Sequence, residues 1–139
     1  MDVAINYWAV LAATASAMVV GMIWYARPVF GNMWIKLAKI DMSKNKGPVA
    51  RPIVISLVAS FLTAYILAHV AYLSNQFFQN SFFQDAVTTA FWLWLGFAGA
   101  RIVVHDVFES RPWKLTLLTV SHEFVTIMIM GFIIGAIGS

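Results

Sequence analysis

The sequence contains no cysteine. Disulfides, thiolate metal sites and thiol nucleophiles are thereby excluded. Charge is almost as scarce, at 11% of residues, where a soluble domain carries roughly 25%. Too little polar surface is present to face water, so lipid must cover most of the chain. The familiar catalytic signatures are missing too. There is no Gly-rich phosphate loop, no His-Glu-x-x-His and no Gly-x-Ser-x-Gly. Ser121-His122-Glu123 has the residue types of a triad, but successive helical side chains diverge by about 100° and cannot form a relay. No residue is assigned as catalytic, no cofactor is implied, and the sequence leans away from an enzyme.

What is present is apolar. The chain of 139 residues, the length of one domain, is 61% hydrophobic with a mean hydropathy of +0.80. Four long runs are predicted to cross a bilayer as helices, over about 3–26, 52–74, 85–108 and 113–137. Continuous runs favour helices over a barrel, whose strands alternate. The first run lacks the basic start of a cleaved signal peptide and is read as a retained helix. The expectation is an all-α, integral membrane four-helix bundle occupying residues 1–139.

The net charge of +3 does not point to nucleic acid, because the basic residues sit beside the apolar runs. Six of the nine Lys and Arg residues, from Arg27 to Arg51, lie between runs one and two. Arg101, Arg111 and Lys114 lie near the turn between runs three and four. By the positive-inside rule both basic connections are cytoplasmic and both termini outside, in an inner (plasma) membrane. Within the first connection, Phe30, Met33, Trp34, Leu37 and Ile40 recur at helical spacing, which predicts a short amphipathic interfacial helix. A flexible turn over Ser43–Gly47 should follow. Phe77, Phe78, Phe82 and Phe83 read as an outer aromatic belt within an Asn75–Gln84 connection.

Small residues let membrane helices approach closely. Ala9, Ala13, Ala17 and Gly21 form one such ridge, Ser56, Ser60, Ala64 and Ala68 a second, and Gly131 with Gly135 a third. They predict packing within the bundle, or contacts between copies in a homo-oligomer surrounded by membrane lipid.

Ionisable groups inside spans usually face the bundle interior. Arg101, His105 and Glu109 share one stripe, with Asp106 beside it; Thr119, His122, Glu123 and Thr126 share another. They predict a buried polar layer of Arg101, His105, Asp106, Glu109, His122 and Glu123. The third and fourth runs are antiparallel about a turn near Arg111, so residues equidistant from it should sit level. Arg101 then lies within a helical turn of Glu123, and an ion pair is expected, with His122 or His105 completing the layer. A metal site is the rival, using His105, Glu109, His122 and Glu123, but Glu-x-x-His is absent and Arg101 repels a cation. No metal ligand is assigned. His69 stands apart as a packing residue.

Further motifs cluster at the basic end: Gly21 through Trp24-Tyr25, then Phe30-Gly31, Trp34 and Lys36-Leu37, and later Asp106-Val107-Phe108-Glu109 and Arg111-Pro112-Trp113-Lys114-Leu115. With Asn6-Tyr7-Trp8-Ala9-Val10 and Gly131, they resemble the small bacterial membrane proteins grouped as domain of unknown function 1761. The likeness covers nearly the whole chain and implies a four-span membrane protein. It departs from the family pattern at His122-Glu123, where a Tyr-His-like pair stands in relatives. Trp24, Tyr25, Trp34, Glu109, Arg111 and Trp113 form a cytoplasmic-end motif. The tryptophans would anchor at headgroups, or the group would form a vestibule to the polar layer. Three functions stay open: a small oligomeric transporter or channel-like protein with an unidentified ion or small-molecule ligand, a non-catalytic accessory or scaffold subunit, and a metal-dependent membrane enzyme.

Overall fold

The computed structural model describes residues 3–44 and 47–138. Part of the expected Ser43–Gly47 turn, Asn45 and Lys46, falls outside the described residues. Six α-helices and two π-helical turns follow in order. They are α1 (Tyr7–Trp24), a π-turn (Arg27–Gly31), α2 (Asn32–Leu37), α3 (Ala50–Phe78) and α4 (Phe82–Leu93). A second π-turn (Trp94–Gly99), α5 (Ala100–Phe108) and α6 (Trp113–Ile137) complete the chain. The second π-turn joins α4 and α5 into one rod, so four helical rods are long and apolar enough to cross a membrane. The protein is an all-α bundle of the multi-pass membrane type.

Local chemistry sets the boundaries. The first helix starts at Tyr7 rather than near Val3, because the Asn6 side chain accepts from Trp8 N–H at 3.1 Å and Ala9 N–H at 3.3 Å. Asn6 also donates to the Ile137 carbonyl at 2.7 Å, fastening the start of α1 to the end of α6. The third rod is capped by Ser81, which accepts from Gln84 N–H. The Asn75–Gln84 connection is therefore mostly helix, with only Gln79–Ser81 turning, and Gln79 ends α3 at φ 56°. Buried Asp85 holds this turn, accepting from Asn75 at 2.8 Å and Asn80 at 3.0 Å.

We call the end where α1 begins and α6 stops the upper end. The lower end carries Arg27, Lys36, Arg51, Arg111 and Lys114. The core lies in the upper half, built from Val10, Ala13, Ala17, Ala64, Leu67, Ala68, Ala86, Ala90, Met130 and Ile134. The third small-residue ridge is the tightest. A Cβ on Gly131 would stand 2.5 Å from the Ala90 Cβ, and one on Gly135 2.9 Å from the Phe83 Cα, so only glycine lets α6 lie this close to α4. The second ridge is used by halves: Ala64 and Ala68 are buried, whereas Ser56 is exposed. All of α3 from Ala50 to Ala59 is exposed around its full circumference.

Candidate functional site

The Trp94–Gly99 π-turn decides which polar groups meet. Above it, Phe83, Ala86, Ala90 and Trp94 face α6; Gly131 and Gly135 pack on the first three, and Trp94 Nε1–H donates to the Val120 carbonyl at 3.2 Å. In an unbroken α-helix, at about 100° per residue, that row continues to Arg101. A π-turn holds one extra residue and rotates everything after it by about 100°. Ile102 and Asp106 take over the row facing α6, and Arg101 turns outward.

Asp106 is accordingly the buried acid of the lower end, 3% exposed. Its Oδ2 accepts from Thr116 Oγ1–H at 2.8 Å, its Oδ1 lies 3.3 Å from His105 Nδ1 and 3.7 Å from Arg111 Nε. His105 Nε2 reaches Glu109 Oε1 at 3.0 Å, and Arg111 Nε donates to Glu109 Oε2 at 2.6 Å. Thr116 and Asp106 are equidistant from Arg111, so the level-matching of the antiparallel rods holds; its rotational half does not. Among the described residues no ion pair joins Arg101 to Glu123, and the expected pair is replaced by the Asp106 network. Nor is the expected layer uniformly buried. Arg101, His105 and Glu109 are exposed, and Arg101 and His105 line an open cleft rather than packing into the bundle.

His122 and Glu123 occupy a different setting. His122 lies against Tyr25 and Trp24, with ring centroids 5.0 and 5.8 Å away, and its side chain is 13% exposed. Trp34 stands edge-on to Tyr25 and Phe30 tilts onto Trp24, which closes an aromatic box. The tight π-turn Arg27–Gly31 folds the chain back so that these rings converge. Gly21 keeps the wall near His122 thin: a Cβ there would stand 3.8 Å from Nε2. His122 Nδ1 faces Glu123 Oε1 at 3.2 Å; its buried Nε2 has no partner among the described residues, nor has Trp24 Nε1 or Thr126 Oγ1, one turn up α6. Two unsatisfied groups in one box are uncommon, since each costs about 1–3 kcal/mol.

The cytoplasmic-end motif thus divides. Trp24, Tyr25 and Trp34 line the box, Glu109 and Arg111 join the Asp106 network, and exposed Trp113 joins neither. Phe30 completes the box, although the sequence reading places it on the interfacial face and in the Phe30-Gly31 motif and not among the site residues. His69 packs on Tyr65 in the upper half. Among the described residues no three His, Asp or Glu side chains converge as metal ligands, because His105–Glu109 and His122–Glu123 form separate pairs.

Two clefts open beside these groups. One, about 430 Å³, lies between α3, the third rod and α6, lined by Thr63, Leu67, Leu93, Phe97, Ile127 and Glu123. The other, about 440 Å³, shares Phe97 with it and is lined by Arg101, His105, Asp106, Arg111 and Thr119. Glu123 is ten residues into α6, about 15 Å from its lower end. Acidic and basic groups at a span's centre cost about 2.5–3.5 kcal/mol on insertion scales. Among the described residues its one close polar partner is His122.

A family model described as protein of unknown function (DUF1761) matches residues 8–135. The chain belongs to that family. No curated protein and no solved structure matches it. The DUF1761 match takes in the whole aromatic box, both clefts and the Asp106 network, so the candidate site is part of the family's own domain.

Proposed function

We propose that this DUF1761 member is a small transporter or channel-like protein whose working group is the His122–Glu123 pair. The observation that carries the reading is Glu123 itself. A carboxylate near the middle of a span, open to a cleft and backed by a boxed histidine, is placed to exchange a proton or a cation. Structural needs do not call for it there, because the bundle is held by the small-residue core above and the Asp106 network below. Arg101 and His105, beside the second cleft, would form its lower approach.

The same reading has the lower end in the cytoplasm of an inner membrane, following the basic residues, and both termini outside. It also has more than one copy. The bare half of α3, with Ser56 exposed, offers a close-approach surface to a second chain. An accessory role would use that surface for another protein, but would leave Glu123 without a purpose.

The test is charge movement in reconstituted vesicles on a solid-supported membrane. Steps in pH and in alkali cation concentration should give transient currents above protein-free vesicles, and Glu123→Gln should remove them. Currents that are absent, or equal in the variant, would overturn the reading.

A further inference from the structure

We infer that the cleft between α3, α4 and α6 takes a hydrophobic organic cation, its charge against Glu123 and its apolar body against Leu67, Leu93, Phe97 and Ile127. This rests on the reading of Glu123 as a working group and names what that group receives.

The cleft's lining selects the class. At about 430 Å³ it falls in the ordinary range of small-molecule sites, about 300–1,000 Å³. Among the described residues Glu123 is the only charged one lining it and Thr63 the only other polar one. An anion would meet a carboxylate. A metal ion would find too few ligands, since among the described residues no three His, Asp or Glu converge there. No Lys or Arg among the described residues comes within ion-pair distance of Glu123, so the positive charge must arrive from elsewhere or from His122. Charge and apolar area are both complemented by one occupant only: a cation delocalised over, or attached to, a hydrophobic frame.

Access agrees with that class. Glu123 lies about 15 Å along α6 from the lower end, near mid-bilayer depth. On the α3 side the cleft is lined by Thr63, Ile66 and Leu67, just above the exposed stretch Ala50–Ala59, so at this depth its opening would face lipid. Only a ligand that partitions into the bilayer reaches such an opening readily. Beside Glu123 stand His122, 3.2 Å away on its own helix, and, packed on the His122 ring, Tyr25 from the end of α1. Arg101 opens on the neighbouring cleft across Phe97 and Ala98.

The experiment is equilibrium dialysis of radiolabelled tetraphenylphosphonium against the full chain in mild detergent, with empty micelles as the blank. Saturable binding of one cation per chain is expected. Glu123→Gln should weaken it by at least about tenfold, or 1.4 kcal/mol. Thr63→Trp, which fills the cleft from an exposed position outside the core, should weaken it similarly. Uptake no greater than into empty micelles would overturn the inference, as would saturable binding equal in both variants. If Glu123→Gln fails to fold, Thr63→Trp decides. Saturable, Glu123-dependent binding without transport currents would sustain this inference and remove the transport reading. Glu123-dependent currents without tetraphenylphosphonium binding would do the reverse.

Discussion

The upper and lower halves of this bundle are built on opposite plans. In the upper half, alanines and glycines bring α1, α3, α4 and α6 into contact, and the polar groups at the rim, Asn6, Asn75 and Asp85, are hydrogen-bonded. In the lower half α3 loses its neighbours, both π-turns occur, and among the described residues two buried ring nitrogens, Trp24 Nε1 and His122 Nε2, stand in one box without partners, against one, His69 Nδ1, above. Lipid supplies no hydrophobic push between helices, so close packing must come from shape. Where shape is sacrificed, something else is gained: clefts, a carboxylate at depth and a histidine held in aromatic rings. Close packing is concentrated in the upper half, and the proposed working groups lie in the lower.

The sharpest way to break that contrast is to damage the upper half. Gly131→Leu should push α6 off Ala90 and abolish folded protein, and even Gly131→Ala should cost about 1–3 kcal/mol as overpacking. Monodispersity and thermal unfolding in detergent would measure both. A Gly131→Leu protein that folds normally would mean the α4–α6 contact is not what holds the bundle.

A smaller loss is expected at the upper rim. Asp85→Ala removes acceptors for Asn75 and Asn80 and should lower stability by about 1.5–3 kcal/mol, the range for hydrogen bonds to a charged group. In the lower half, Thr116→Val deprives buried Asp106 of one donor while Arg111 and His105 remain; a loss of about 1–2 kcal/mol in the same unfolding assay is expected.

The smallest effect should come from Arg101 and Glu123 taken together. Because the two do not pair, a double-mutant cycle with Arg101→Leu and Glu123→Leu should give a stability coupling below about 0.5 kcal/mol. A coupling of several kcal/mol would restore the ion pair and dissolve the division between the two clefts.

Sequence reading reached the number of rods, their helical nature and the small-residue ridges, because lipid imposes long uncharged runs and close approach imposes glycine and alanine. It also placed residues at matching depth, as Asp106 and Thr116 attest. Rotation was lost at the Trp94–Gly99 π-turn. Carrying a 3.6-residue period across one extra residue turns every later side chain by about 100°, which sends Arg101 out and Asp106 in. Gly96 and Gly99 mark the spot, but glycine is too common in membrane helices to announce a π-turn. The aromatic box was equally hidden. Trp24, Tyr25 and Trp34 were picked out at one end, yet their convergence on His122 depends on the Arg27–Gly31 fold-back, which no periodicity encodes.

The length of α3 has a consequence of its own. Its 29 residues extend about 43 Å, well beyond a hydrocarbon core of about 30 Å. A helix that long tilts or bends to hide its excess, and by different amounts in thinner and thicker bilayers. Its upper half is anchored by Ala64, Leu67, Ala68 and Ala71, so the adjustment falls on the bare stretch below. Bilayer thickness would thereby act as a lever on the gap between α3 and α6, and so on the shape of the cleft that holds Glu123.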